Sequence, residues 1–286
     1  MIPTAFEYHR ATSVEDAIRK LRDVVGKGGK LVAGGHSLVP LMKLRLSEPQ
    51  TLIDIARIPG LSGINAHGAN IQIGACTVHH DVATSKLLQD KCPMLAETAG
   101  AIGDPQVRNR GTLGGSLAHA DPAADYPAAM LALDAEIRLR GPKGPRTVKA
   151  ADFFQGLFTV DLRGDELILG VEFVPVKAAA YAKLHQRASH FAIVGVAAAL
   201  EVKGGTIQSA RIGLTGASSH ATRLTAVETA LAGKPLSAAT IEAAVKGAGD
   251  SIEDISSDIH ASEEYRRAMI PVFTARALSQ AAARTN

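Results

Sequence analysis

The chain has 286 residues, 46% of them hydrophobic, with 31 Lys and Arg against 28 Asp and Glu for a formal net charge of +3. That is enough apolar material for one large core or two smaller ones, and no apolar run approaches the roughly 18 residues a membrane span requires. Dispersed basic residues and few aromatics (no Trp, 4 Tyr, 7 Phe) argue against nucleic acid as a partner, which needs a basic block and stacking surfaces.

The N-terminus, Met1-Ile2-Pro3-Thr4-Ala5-Phe6-Glu7, lacks the basic start and apolar run of a signal peptide, so a cytoplasmic location is expected. Residues 13–25 then predict a helix. Val14, Ala17, Ile18, Leu21, Val24 and Val25 fall on one face, with Ser13 as N-cap and Asp16 three residues on. Gly26, Gly28 and Gly29 end it. A short buried strand is expected over 30–33, an apolar segment over 38–46, and strands over 51–55 and 70–75, the latter alternating. Helices are expected over 79–88 and 94–101, a loop over 103–115, and a helix over 121–133 opened by Asp121 as N-cap and Pro122. A strand over 136–140 turns at 141–145, and another over 167–174 is broken by Pro175. Beyond Val176 the pattern changes. An apolar strand over 192–202 meets Gly204-Gly205, a hairpin signal, and pairs back through 207–214. Helices follow over 221–232, 238–248 and 263–283. Strands followed by helices suggest a separate α+β domain.

The two cysteines, Cys76 and Cys92, match no zinc spacing and fall short of the four thiolates of an iron–sulfur cluster. They are expected to be buried as small apolar residues, without a disulfide in a reducing cytosol. His79-His80-Asp81 superficially suggests a metal triplet, but adjacent side chains diverge, and a solvated helix start is the expectation. No metal site is expected.

Two glycine bends carry the chemistry. Ala33-Gly34-Gly35-His36-Ser37 lies between a strand and an apolar segment that carries Pro40. Gly111-Thr112-Leu113-Gly114-Gly115-Ser116 runs towards a helix. Glycines let a ligand approach the main chain closely, and bend amides attract phosphate. Neither bend is a P-loop or the dinucleotide fingerprint. One Gly-Gly turn is usually structural; two together suggest a diphosphate held between loops from distant parts of the chain. The residues themselves lead no further than a phosphate-bearing cofactor.

Lys30-Leu31-Val32-Ala33-Gly34-Gly35-His36-Ser37-Leu38-Val39-Pro40 resembles the first FAD-binding segment of the molybdopterin dehydrogenase and xanthine oxidase flavoproteins. Arg108-Asn109-Arg110-Gly111-Thr112-Leu113-Gly114-Gly115-Ser116-Leu117-Ala118-His119-Ala120-Asp121-Pro122-Ala123-Ala124-Asp125 resembles the second, and the similarity covers essentially the whole chain. The resemblance implies an α+β protein. Its FAD-binding fold would be of the vanillyl-alcohol oxidase type, with two α/β subdomains (about 1–56 and 57–176), followed by an α+β C-terminal domain (177–286). It implies that residues 33–37 and 112–116 cradle the pyrophosphate, with Lys30, Leu31, Val32, Leu38, Ile102 and Val107 lining the cofactor. Asp121 serves as a cap and a contact, and Asp125 accepts from a ribityl or ribose hydroxyl. Ile168 and Lys183 are further contacts, and Phe191 packs by the isoalloxazine. No catalytic side chain is implied. His119 stands where similar chains often carry Asn, and Ser189-His190-Phe191 replaces a Gly-Asp-aromatic version. Without the resemblance, Phe191 reads as core, Lys183 as surface, and Arg108 and Arg110 as solvated or ion-paired loop residues.

The implied activity is a flavoprotein subunit that relays electrons from a partner's iron–sulfur clusters through FAD to an external acceptor, quinone or NAD. The implied partners are an iron–sulfur small subunit and a molybdenum-cofactor large subunit, in a dimer of heterotrimers. A self-contained flavin oxidoreductase and a cofactor-free assembly module remain alternatives.

Overall fold

The computed structural model describes residues 2–285. The first unit is small. Strand β1 (Glu7–Arg10), helix α1 (Val14–Val24), β2 (Gly29–Val32), α2 (Leu38–Lys43) and β3 (Thr51–Asp54) form a parallel three-stranded sheet in the order β1-β3-β2. The Ser13 hydroxyl caps α1 by accepting from the Asp16 amide. The Asp16 carboxylate accepts from the Thr12 amide, one residue before the position a capping box uses. Ala17, Ile18 and Leu21 bury their face of α1 against Ile53 and Ile55.

The second unit contains β4 (Ile64–His67), β5 (Asn70–Gly74), α3 (His79–Thr84), α4 (Lys86–Lys91), α5 (Pro93–Gly100), α6 (Pro105–Arg108), α7 (Leu113–His119) and α8 (Tyr126–Ala132). It continues with β6 (Glu136–Gly141), β7 (Gly144–Lys149), α9 (Ala150–Phe153), β8 (Phe154–Gly156), β9 (Thr159–Val160) and β10 (Leu167–Phe173). Its sheet is antiparallel, in the order β4-β5-β10-β6-β7. The inward faces of β5, β6 and β10 (Ile71, Ile73, Ile137, Leu139, Val171, Phe173) meet Leu95, Leu113, Leu117 and Met130 of the helices in the largest core.

The third unit has β11 (Ala179–His185), β12 (Ala192–Lys203), β13 (Thr206–Thr215), β14 (Thr222–Arg223), α10 (Thr225–Leu231), α11 (Ala238–Val245) and α12 (Glu263–Ala282). Its antiparallel sheet runs in chain order. Gly204 and Gly205, both left-handed (φ 58° and 74°), make the tight β12–β13 turn predicted for them. Val194, Val196, Ile212 and Leu214 pack beneath α12 through Ile270, Phe273, Ala277 and Leu278.

Several elements differ from expectation. Strands β1, β4, β7 and β11 were not predicted; β1 is exposed at all four residues, so it carries no apolar alternation. The 79–88 segment is two helices broken at Ser85, whose hydroxyl caps α4. The 103–115 loop holds α6 and the start of α7. The helix expected from Asp121 begins only at Tyr126. Residues 122–124 are tied instead to the C-terminal sheet: the Gly216 amide and Thr215 hydroxyl donate to the Pro122 carbonyl, and the Ala192 amide to that of Ala123. Asp121 caps the Ala123 amide within this turn, the local bond that competes with helix. Among the described residues no helix is long and apolar enough to cross a membrane, and no group of three or more His, Cys, Asp or Glu could hold a metal ion. Cys76 and Cys92 are free and buried.

Candidate functional site

The two glycine bends meet. A Cβ placed on Gly34 would lie 2.2 Å from the Arg110 carbonyl oxygen and 2.8 Å from Gly111 Cα. The first bend therefore rests directly on the main chain of the second. The second is seated in the same way, since a Cβ on Gly114 would reach within 2.5 Å of that of Ala75 and one on Gly111 within 2.6 Å of His79 Nε2. Side chains at these glycines would hold the backbones apart, and only glycine permits this approach.

Around the junction opens a cleft of about 600 Å³, within the range of small-molecule sites. It runs from β2 and the first bend, past the start of α7, to β10 and the β11–β12 loop. The predicted residues Lys30, Leu31, Val32, Ala33, Gly34, Gly35, His36, Ser37, Leu38, Ile102, Val107, Gly111, Thr112, Gly114, Gly115, Ser116, Asp121, Asp125, Ile168 and Phe191 all line it. Lys183 does not; it stands behind the wall.

The bends offer different chemistry. In the first, among the described residues, the amides of Gly35, His36 and Ser37 donate to no protein acceptor, while the His36 ring holds the Gly34 carbonyl. These amides suit an anion. In the second, the expected amide donors are already engaged: Gly111 donates to Val107, Leu113 to Thr77, Gly114 to Ala75, and Gly115 to the Thr112 hydroxyl that caps α7. That bend therefore presents the hydroxyls of Thr112 and Ser116, and its glycines serve contact between backbones.

Asp125 precedes α8 without capping it. Its carboxylate accepts from the Tyr181 hydroxyl at 2.5 Å and from the Lys183 ammonium at 2.8 and 2.9 Å, and Lys183 also donates to the Ala101 carbonyl at the end of α5. Both side chains are nearly sequestered from solvent, at 6% and 5% exposure, so Lys183 is a buried cation and not the surface residue its sequence alone suggests. Burial pushes the Asp125 carboxyl up, and the Lys183 charge opposes that. Phe191 is 48% exposed and correspondingly not core. Arg108 donates to the carbonyls of Ile102 and Gly103, which fixes that edge of the cleft.

His79 departs furthest from expectation. It is 5% exposed and not solvated; it lines the cleft beneath Gly111, with its ring 5.3 Å from that of Tyr126. Its Nδ1 and the Tyr126 hydroxyl are both buried without a hydrogen-bond partner. No local pattern could have announced this, because the contact depends on the bridge between Val78 and Thr112. Burial, with lesser contributions from the charges of His36 and Arg108, lowers the His79 pKa from 6.5 to about 4. The folded state thus keeps this imidazole neutral while the unfolded chain takes up a proton. The stability linked to His79 is fully present above pH 6.5 and is lost as pH falls from 6.5 to about 4, amounting to about 3 kcal/mol over the window. Urea denaturation across that range should show a shallower decline in a His79→Phe variant than in the parent; equal slopes would refute the assignment. Glu166, 4% exposed and also in the cleft wall, was likewise missed. It is held by Arg146 at 2.8 Å, a partner brought in from a neighbouring strand.

Residues 4–177 match the family described as FAD binding domain in molybdopterin dehydrogenase, and residues 179–281 match the CO dehydrogenase flavoprotein C-terminal domain. The chain is 41% identical to the carbon monoxide dehydrogenase medium chain of Hydrogenophaga pseudoflava, covering 99% of each. It is 38% identical to the 6-hydroxypseudooxynicotine dehydrogenase complex subunit alpha of Paenarthrobacter nicotinovorans, covering 98% of this chain and 96% of that one. Among solved structures, carbon monoxide dehydrogenase from Hydrogenophaga pseudoflava superposes with a TM-score of 0.95 at 42% identity over 99% of each chain.

Proposed function

The chain belongs to the family of FAD-binding flavoproteins of molybdopterin dehydrogenases, and from that premise we propose how its own residues serve the cofactor and the complex. It is an FAD-dependent oxidoreductase subunit of the molybdenum hydroxylase type. The observation that carries the site assignment is the contact of Gly34 with Gly111, which brings three unengaged amides and two hydroxyls to one edge of a cleft large enough for a dinucleotide.

The amides of Gly35, His36 and Ser37 bind the diphosphate, and the hydroxyls of Thr112 and Ser116 bind it from the facing bend. Lys30, Leu31, Val32, Ala33, Leu38 and Ile168 form the walls along its nucleotide and ribityl portions, and Gly111, Gly114 and Gly115 keep the second bend low enough for close approach. Ile102, Val107 and Phe191 exclude water around the ring system. Asp125, its orientation set by Lys183 and Tyr181, accepts from a sugar hydroxyl, and Asp121 fixes the turn before it. FAD supplies the two-electron chemistry; the protein supplies position, potential and limited solvent access. No side-chain nucleophile takes part. The division of the chain is 1–176 for the FAD-binding domain, in subdomains of about 1–56 and 57–176, and 177–286 for the C-terminal domain.

With two cysteines, both buried, the chain has no thiolate set for a cluster, so the electrons come from another polypeptide. The relatives are medium subunits of multi-subunit dehydrogenases. The partners proposed here are an iron–sulfur small subunit and a molybdenum-cofactor large subunit in a cytoplasmic dimer of heterotrimers. Carbon monoxide is one substrate for such a complex, and the external acceptor is a quinone or NAD.

Purification of the complex should give a flavin absorption band and one FAD released per copy of this chain on denaturation. A colourless complex that takes up no FAD on incubation would sink the reading.

A further inference from the structure

A second cavity of about 240 Å³ opens beside the large cleft, and Asp121 and Phe191 line both. Phe191, at the partition, is 48% exposed, and Phe158 at the mouth is 52% exposed. The backbone around both rings is unusual. Phe158 is itself left-handed (φ 50°), and so is His190 immediately before Phe191 (φ 60°). Such conformations cost on the order of 1–2 kcal/mol for side-chain-bearing residues and here leave two large apolar rings facing solvent. Phe158 is braced against the His119 ring at 5.1 Å, so it is held in place.

The charges of the second cavity are also informative. Its cation, Arg266, has a side chain only 4% exposed and is paired with Asp258 at 2.7 Å, and it also donates to the Ile193 and Gly216 carbonyls. Asp121 adds a further carboxylate. Among the described residues lining it, no arginine or lysine is left to receive phosphate. Ser256 and His260 offer a hydroxyl and an imidazole at the rim.

We propose that this second cavity seats the external electron acceptor, and that the acceptor is an uncharged planar ring of the quinone class, held between Phe158 and Phe191. The volume lies below the roughly 300 Å³ at which pockets for drug-sized ligands begin, so a single ring system fits and a pyridine dinucleotide does not. The paired arginine and the Asp121 carboxylate disfavour an anionic diphosphate, whereas aromatic faces suit a neutral ring, and the Ser256 and His260 side chains can donate to its carbonyls. The quinone takes two electrons and two protons from the reduced flavin; both of its oxygens become hydroxyls and the flavin returns to its oxidised form. The inference rests on FAD occupying the large cleft.

The test uses the whole complex carrying this chain, its flavin first reduced without oxygen and then mixed with a short-chain ubiquinone, NAD+ or ferricyanide. The ubiquinone should restore the oxidised flavin spectrum with saturable kinetics, and NAD+ should not. Ala123→Phe and Ser256→Phe, which fill the cavity from opposite chain segments, should each raise the ubiquinone half-saturation concentration by about tenfold while leaving the flavin content and the ferricyanide rate at parental values. Parental ubiquinone saturation in both filled variants, or reoxidation by NAD+ in place of ubiquinone, overturns the acceptor site and leaves the flavin assignment standing. A complex without a flavin band overturns both.

Discussion

Gly34→Ala should release the flavin. The added methyl would be placed 2.2 Å from the Arg110 carbonyl oxygen and 2.8 Å from Gly111 Cα, and both are main-chain atoms with no rotamer to escape into. One bend must withdraw. Overpacking of this kind costs about 1–3 kcal/mol, and the strain falls on the junction that aligns the Gly35, His36 and Ser37 amides with Thr112 and Ser116. FAD affinity should drop about 100-fold, the equivalent of about 2.7 kcal/mol, measured by flavin fluorescence on titration of the deflavinated complex. Gly60→Ala is the control. Gly60 is also left-handed (φ 83°), but its Cβ would meet nothing within 4 Å, so that variant carries backbone strain without touching the bends and should keep its flavin. Equal affinity in the two variants would mean that the bends separate freely.

Lys183→Met should be the most destabilising single change near the cleft. It removes the cation from a carboxylate that is almost wholly buried and leaves Asp125 with only the Tyr181 hydroxyl. Breaking a buried pair from one side costs about 3–5 kcal/mol. Replacing the carboxylate as well, in Lys183→Met with Asp125→Asn, should recover part of that loss, a coupling a double-mutant cycle measures. The pH dependence has a defined sign. Burial already raises the Asp125 carboxyl above its ordinary value of 3.8, and loss of Lys183 raises it further. For a group raised in the folded state, stability is present below the unfolded pKa and is lost as pH rises through the folded one. The deficit of the variant should therefore be largest at neutral pH and shrink as pH falls towards 3.8. A deficit that stays constant with pH would indicate lost packing in place of a stranded charge.

The Asp125–Lys183 pair also joins parts of the chain that fold as different sheets, since Asp125 precedes α8 and Lys183 lies on β11. A change at either residue is therefore expected to be felt both in flavin binding and in the docking of the C-terminal sheet onto residues 122–124.

Local physics was legible where one segment decides its own conformation. Ser13 caps α1 as its residue type requires, Gly204-Gly205 turns the β12–β13 hairpin, and α12 follows its own helical pattern over Glu263–Ala282. The glycine bends were legible as chemistry, because phosphate-facing turns need residues without Cβ atoms. The failures share one cause. β1 is exposed along its length and exists because β3 supplies its hydrogen-bond partners. The 121–133 segment has a good N-cap in Asp121, but bonds from Thr215, Gly216 and Ala192 to residues 122 and 123 override it. His79 reads as solvent-exposed until the strand-like bridge to Thr112 folds it under Gly111.

By itself the sequence determined the kinds of groups available: two glycine bends, a paucity of thiols, an aromatic at 191, and the helices and hairpin that short-range forces specify. Only the tertiary structure decided which groups face which. It set the bends backbone to backbone, consumed the amides of the second, buried Lys183 against Asp125, and left Phe191 on the wall between two cavities. Short-range propensities are summed over neighbouring residues, whereas burial and charge pairing are settled by residues distant in the chain.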